Sequence, residues 1–90
     1  MIELALGSPL RVKIIITLLK LGEVNATELA NRLETNYAQL LSHIKILVKY
    51  GIVEERRIGR ARLIKLSDAE YVVKLAKALA QLDEKIQIEA

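Results

Sequence analysis

The stretch from Asn36 to Gly51 constrains the fold more than any other part of this chain. Asn36 is a good N-cap, Gln39 three residues later completes a capping box, and Gly51 supplies a C-terminal stop. Apolar residues recur at a spacing of about 3.6 along one side of this predicted helix: Leu40, Ile44, Leu47 and Val48. The opposite side carries small or basic residues: Ala38, Ser42, Lys45 and Lys49. We therefore predict one helix with a buried face and a slim, partly basic outer face.

Two interpretations of that outer face stay open from the helix alone. An ordinary amphipathic helix exposes a solvated lysine face and needs no partner. A helix that is slim in front and basic along one edge also fits the major groove of duplex DNA, where phosphates line the walls. The segments on either side of the helix favour the second interpretation.

After Gly51 the apolar period changes from 3.6 to 2, which is typical of strands. Ile52–Ile58 and Ala61–Leu66 are predicted to be the two strands of a β-hairpin, with Gly59 and Arg60 in its turn. The chain is therefore predicted to change from helices to a short sheet at this point.

The predicted register of the hairpin places like charges together. If Gly59 and Arg60 are the central turn residues, Arg57 faces Arg62, whereas Glu54 faces Lys65. Opposed like charges weaken a sheet, so the two arginines indicate an anionic partner nearby. A solvated basic loop is the alternative.

Two shorter helices are predicted before Asn36. Ser8-Pro9 is a clean helix start, and the helix from about Leu10 to Leu21 is apolar around most of its circumference. We expect one side to enter the domain's own core and the other to meet a partner subunit. Asn25–Glu28 forms a capping box for a second helix that ends at Leu33, and a tight turn then leads to Asn36. Two helices joined in this way form a helix-turn-helix.

The C-terminal segment carries a seam of apolar residues at heptad spacing. Ser67–Glu70 is predicted to cap a helix that runs to about Ile86. Its seam consists of Val72, Leu75, Leu79, Leu82 and Ile86. Because two heptads are short for an isolated coiled coil, we expect this helix to pair with its twin in a homodimer. Folding back onto its own domain is the alternative.

Composition excludes several classes of protein. Ninety residues suit a single domain, and the 52% hydrophobic content is high for so short a chain. Between Asn36 and Leu66, seven basic residues stand against two acidic ones, a net of +5 in a chain whose total is +3. Such a block points to a polyanionic partner. The absence of cysteine, of a membrane span and of a signal peptide leads us to expect a cytoplasmic protein.

The complete order of elements resembles the winged helix-turn-helix regulators of the ArsR type. The resemblance is carried by SPLRVKIIITLL, NATELANRL, NYAQLLSHIKILVKYGIVEERR and IGRARLIKLS, and it covers roughly Gly7 to Ser67. NATELANRL and the following NY look most like the archaeal branch. The implied fold is α+β and mostly helical: one domain over 1–90, with a three-helix bundle and β-hairpin wing over 10–66 and a C-terminal dimerisation helix over 68–88.

The resemblance also implies a homodimer that places one recognition helix per subunit in successive major grooves of double-stranded DNA. By position, the implied base-reading residues are Tyr37, Ala38, Gln39, Ser42 and His43. The expected backbone contacts are Lys45, Lys49, Arg56, Arg57, Arg60 and Arg62. The expected dimer interface contains Ile15 and Leu19 as well as the C-terminal seam.

One departure from the family pattern matters. Metal-sensing members carry a cysteine pair where Asn25 and Thr27 stand in this chain. With no cysteine and one histidine, the sequence offers no typical zinc site, so we expect neither a metal nor a cofactor. An effector, the operator, the regulated genes and the sign of regulation are not indicated.

Three functions compete at this point. The leading one is a sequence-specific transcriptional regulator. The others are an architectural DNA-binding protein of low specificity and a winged-helix protein-interaction subunit. Enzyme activity is not expected, because most acidic residues lie at caps or helix exteriors and the sequence has no glycine-rich phosphate loop.

Overall fold

A computed structural model describes residues 1–89, so Ala90, the last residue of the predicted domain, lies outside the described residues. Within them the elements follow the order α1 (Ile2–Ala5), α2 (Pro9–Leu21), β1 (Val24–Asn25), α3 (Ala26–Arg32), α4 (Tyr37–Lys49), β2 (Val53–Ile58), β3 (Ala61–Leu66) and α5 (Glu70–Glu89). The fold is mostly helical with a three-stranded antiparallel sheet, which confirms the predicted class.

The core lies where α2, α3 and α4 meet one side of the sheet. The large side chains that fill it each expose 1% or less of their surface: Ile14, Ile15, Leu18, Leu29, Leu40, Ile44, Leu47 and Ile64. Burial of so many branched side chains is the main favourable contribution to folding. The apolar face of α4 is therefore satisfied within the protomer, apart from Val48, which is exposed although it was predicted to be buried.

The hairpin has the predicted register. Ile58 pairs with Ala61, which leaves Gly59 and Arg60 as the two turn residues. Gly59 has φ 60°, which suits the first central position of a type II′ turn. A third strand, β1, was not predicted as a strand. It joins the hairpin through β3, with Val24 opposite Ile64.

The turn between α3 and α4 contains a residue with an unusual backbone conformation. At the end of α3, the N–H of Glu34 donates to the carbonyl of Asn31 (3.2 Å), and the N–H of Thr35 donates to that of Ala30 (3.0 Å). These two bonds form a Schellman motif, whose central residue must be left-handed. Glu34 takes that conformation with φ 54°, where glycine is the usual residue. The turn that positions α4 therefore carries backbone strain.

The C-terminal helix differs from its prediction in two ways. Ser67 does not cap it: Ser67 Oγ accepts from the N–H of Ala69 (3.1 Å) in a local turn, and α5 begins at Glu70. Its first half packs across α2 of the same protomer, with Val72 and Ala76 buried. The alternative that the helix folds back onto its own domain is correct for this half.

These contacts correct the predicted dimer interface. Ile15 and Val72 expose 0% and 3% of their surface because they lie in the protomer's own core, so they cannot form an intersubunit surface. Leu19, Leu75 and Leu79 are half-buried. Leu82 and Ile86, in the second half of α5, are 58% and 56% exposed. The seam predicted as one surface is thus divided between core and solvent.

Candidate nucleic-acid interface

The outer face of α4 is open to solvent. Four of the five predicted base-reading residues are exposed, and the fifth, His43, is half-buried. The exposed ones are Tyr37, Ala38, Gln39 and Ser42. They lie in the first two turns of the helix, which is the part of a recognition helix that reaches base edges. All four residues are therefore accessible to a ligand near the N-terminal end of α4.

Two polar side chains on this surface are already oriented. Asn36 Oδ1 caps the helix by accepting from the N–H of Gln39 (2.7 Å), as predicted. The second half of the capping box is replaced, because Gln39 Oε1 accepts from Thr35 Oγ1 (2.9 Å). Ser42 Oγ donates to the carbonyl of Gln39 (2.8 Å), which turns the hydroxyl along the helix. Within residues 1–89 Gln39 Nε2 has no hydrogen-bond partner, so it remains available as a donor.

The basic edge of α4 consists of Lys45 and Lys49, which are both exposed. Within residues 1–89 neither forms an ion pair. The ammonium of Lys49 lies 5.9 Å from the centroid of the Tyr50 ring, which is within the range of a cation–π contact. Their positive charges are therefore available to an external anion.

The two faces of the hairpin have different surroundings. Alternation along the strands places Arg57 and Arg62 on the face that also carries the core residues Val53 and Ile64. This face looks toward the helices, and β2 packs against α4. Arg56, one residue away, lies on the opposite face.

The opposed arginines are not equivalent. Arg57 and Arg62 pair across the hairpin as predicted, but Arg62 Nε lies 3.0 Å from Glu55 Oε1. The expectation that both arginines need an external anion is therefore wrong for Arg62, since Glu55 supplies one. Arg57, and Arg60 at the turn, form no ion pair with the part of the chain that the structure describes.

Arg56 has a structural partner that the sequence did not reveal. Its Nε and Nη2 donate to the two carboxylate oxygens of Glu23 at 2.9 and 2.8 Å. This bidentate bond lowers the pKa of Glu23 and raises that of Arg56. It ties the hairpin to the segment before β1. Glu23 stands just after the stop signal Gly22, and nothing in the local pattern indicates its distant partner.

A further basic residue at the interface was also missed. Arg11, in the first turn of α2, places Nη1 3.4 Å from Nδ1 of His43 on α4. Burial, and then the charge of Arg11, lower the pKa of His43. A cation in the first turn of a helix is disfavoured by the helix dipole, and this was the signal in the sequence that could have drawn attention to Arg11.

Metal and membrane features are absent from residues 1–89. The structure brings together no group of three or more histidine, cysteine, aspartate or glutamate residues able to hold a metal ion there. None of the helices in that range has the length and apolar character needed to cross a bilayer.

The helix-turn-helix with an exposed recognition helix, followed by a basic hairpin packed against it, defines the class of winged helix-turn-helix DNA-binding proteins. The family model described as "Bacterial regulatory protein, arsR family" matches residues 8–55, more than half of the chain. The chain belongs to this family and is a DNA-binding transcription regulator. The resemblance in sequence is thus confirmed at the level of the family.

Solved structures of transcription regulators share the fold. HlyU from Vibrio cholerae is 28% identical, with a TM-score of 0.80 over 87% of this chain and 83% of that one. The repressor BigR from Xylella fastidiosa is 28% identical, with a TM-score of 0.76 over 87% of this chain and 75% of that one. A transcriptional regulator homologue from Pyrococcus horikoshii is 26% identical, with a TM-score of 0.74 over 92% and 85%. No curated protein matches the sequence.

Proposed function

We propose that this protein is a homodimeric, sequence-specific regulator that inserts α4 into the major groove of double-stranded DNA and lays its wing, β2 and β3, on the flanking backbone. The observation that carries the proposal is the division of α4. Its apolar face is buried within the protomer. Its outer face presents small and polar side chains beside two lysines that form no ion pair within residues 1–89. Such a face has no structural task in the protomer and fits a groove lined by phosphates.

The ion pairs divide the six expected backbone contacts into two groups. Lys45, Lys49, Arg57 and Arg60 are free of carboxylates within residues 1–89 and form the proposed phosphate-binding set. Arg56 and Arg62 are occupied by Glu23 and Glu55, so DNA must compete for them. The proposal therefore assigns them the smaller contributions.

The ion pairs of Arg56 and Arg62 also disfavour an architectural DNA protein. Such a protein gains its affinity from many free cations, and here two of the six are neutralised within the protomer. Base readout by Gln39, Ser42 and the other exposed residues of α4 is the remaining source of specificity.

Exposed apolar residues support the homodimer. The second half of α5 exposes Leu82, Ile86 and Ile88, and α1 exposes Ile2 and Leu4. Apolar side chains gathered on two terminal helices are typical of an intersubunit surface. We propose that α5 and α1 of two protomers associate there, with Leu75 and Leu79 at the edge of the contact and Leu19 beneath it.

Other features of the proposal rest on the family. A cytoplasmic location is consistent with a regulator of transcription. The archaeal branch stays a prediction, because the Pyrococcus horikoshii protein and the two bacterial regulators are similar to this chain to about the same degree.

Adjacent arginines of β2 provide a matched test of DNA binding. Arg57→Gln and Arg56→Gln remove the same charge at neighbouring positions on opposite faces of the wing. Because Arg57 forms no ion pair with the residues that the structure describes, its loss should weaken duplex binding about tenfold and lower the salt slope by about 0.9 per protomer. Arg56→Gln should change both by much less. Titration of labelled duplex at several salt concentrations measures the difference.

The duplex for that titration comes from selecting bound fragments out of random double-stranded DNA. A selected site that binds about a thousandfold or more tighter than random duplex at the same salt supports a specific regulator. Equal affinities would indicate the architectural alternative. Equal effects of the two arginine substitutions would contradict the division of the basic residues by their ion pairs.

A further inference from the structure

Arg11 has no role in the proposed set of DNA contacts, yet its environment is unusual. Its guanidinium forms no ion pair within residues 1–89, and its Nε is buried without a hydrogen-bond partner. Leaving a buried donor unsatisfied lowers the stability of the fold. The polar contact that the structure gives this side chain is the one to Nδ1 of His43, at 3.4 Å. The cation is therefore held against the recognition helix rather than against a carboxylate.

The chemistry of the two groups fixes the proton on the imidazole. An arginine side chain has only N–H donors and does not lose its charge in proteins. Nδ1 of His43 must then be the acceptor, so the neutral ring carries its proton on Nε2. Burial and then the neighbouring cation lower the pKa of His43, which also favours the neutral ring over the imidazolium.

The other ring nitrogen is available to a ligand. Nε2 of His43 has no hydrogen-bond partner within residues 1–89, and it is not among the buried unpaired atoms. It is therefore accessible to solvent. His43 follows Ser42 on α4 and lies one turn after Gln39, at the border of the exposed face. A neutral N–H group at this place can donate one hydrogen bond into the groove.

We propose that Arg11 is a positioning residue for His43, which it holds as an Nε2–H donor to an acceptor on a purine edge in the major groove. Guanine suits this donor best, because its N7 and O6 are adjacent acceptors, whereas cytosine presents a donor. The inference rests on the proposed function, since it names one base contact of the recognition helix. It adds a residue of α2 to the determinants of specificity.

The first experiment tests the Arg11–His43 contact without DNA. His43 is the only histidine in the chain, so its ring nitrogens can be followed without ambiguity by ¹⁵N NMR. At a pH where the ring is neutral, the wild type should show the Nε2–H tautomer alone. Arg11→Met keeps a linear stem but removes the donor, so the two tautomers should mix and the pKa of His43 should rise.

Two further variants separate positioning from other effects. Arg11→Lys retains a donor on a long stem and should restore the single tautomer. Lys13→Gln removes a positive charge from an exposed position of the same helix and should leave the tautomer unchanged. A mixed tautomer in the wild type, or a single one in Arg11→Met, would overturn the positioning role.

The second experiment tests base readout on the selected duplex. His43→Ala should reduce the preference for guanine at one base pair of each half-site by about fivefold, the value expected for one hydrogen bond of ~1 kcal/mol. Arg11→Met should reduce it at the same base pair, and Lys13→Gln should not. An unchanged preference in His43→Ala would overturn the assignment to a base.

The two experiments fail independently of each other. If the protein bound no duplex, the proposed function and the base contact would both fall, whereas the NMR result would still decide whether Arg11 fixes the tautomer. If salt-dependent duplex binding persisted but neither variant altered base preference, only the inference about Arg11 and His43 would be wrong.

Discussion

Helices α4 and α5 are both amphipathic, but the protomer buries the apolar face of α4 far more fully than that of α5. The apolar face of α4 is closed by the core, with Leu40, Ile44 and Leu47 fully buried. The seam of α5 is closed only in its first half, and Leu82 and Ile86 remain exposed. Because the apolar face of α4 is buried in the protomer, its outer face is free for a ligand. The exposed half of the α5 seam needs a second apolar surface, and we propose that this surface belongs to another copy of the chain.

The largest expected effect tests the burial of α4. Ile44→Ala should lower the free energy of unfolding by about 2–5 kcal/mol, because it leaves a cavity where α4 meets the core. Val48→Ala, on the same helix but exposed, should cost less than about 1 kcal/mol. Urea denaturation of both variants measures the difference. Similar losses would show that α4 is not buried as described.

The second prediction concerns the exposed second half of α5. Replacing both Leu82 and Ile86 by Glu should raise the dimer dissociation constant at least about a hundredfold, or ~2.7 kcal/mol, because two charges would enter an apolar contact. The protomer should stay folded. Sedimentation measures association, and circular dichroism measures folding.

A matched control adds the same charges elsewhere on the helix. Gln81→Glu with Gln87→Glu places two carboxylates at exposed polar positions of α5, and it should leave the dimer intact. Equal dissociation in both double variants would point to charge repulsion rather than to a lost apolar contact. A monomeric wild type would end the proposal of a dimer.

The third prediction concerns how each helix is entered. The chain reaches α4 through the left-handed Glu34, whereas it reaches α5 through an unstrained local turn at Ser67. Glu34→Gly should raise the free energy of unfolding by about 0.5–1 kcal/mol, since glycine accepts this conformation without a Cβ clash. Glu34→Ala keeps the strain and should give no such gain. Thermal denaturation distinguishes the two, and a destabilised Glu34→Gly would contradict the strain.

The smallest effect is a pH dependence confined to the border of α4. The pKa of His43 is lowered in the folded protein from 6.5, so the unfolded chain takes up this proton first as pH falls. The contribution of the neutral His43 ring to the free energy of unfolding is fully present above about pH 6.5 and is lost as the pH falls below that value. His43→Gln should therefore narrow the stability gap between pH 7.5 and pH 5.5. The same gap in both proteins would contradict the lowered pKa.

Local patterns predicted the elements well wherever the period or the caps were clear. The cap at Asn36, the turn at Gly59 and the apolar face of α4 apart from Val48 agree with the prediction. The start of α5 was predicted too early. The sequence Ser67–Glu70 has the pattern of a capping box, but in the structure Ser67 forms a hydrogen bond within a local turn before the helix. β1 was missed because two residues are too few to show a period.

The candidate site was predicted less completely than the fold. Sequence position brought Gln39, Ser42 and the lysines of α4 to one surface, and these placements agree with the described exposures. The partners of Arg56 and His43 were missed, because Glu23 and Arg11 lie 33 and 32 residues away along the chain. No local spacing encodes such pairs.

The sequence by itself determined where helices and strands form, since periodicity, caps and turn residues act over a few neighbouring positions. Only the tertiary structure decided which arginines are already neutralised and which part of the α5 seam enters the protomer's core. The physical reason is that charge compensation and burial depend on distances between segments far apart in the chain. Those distances exist only after α2, α4 and the sheet have packed together.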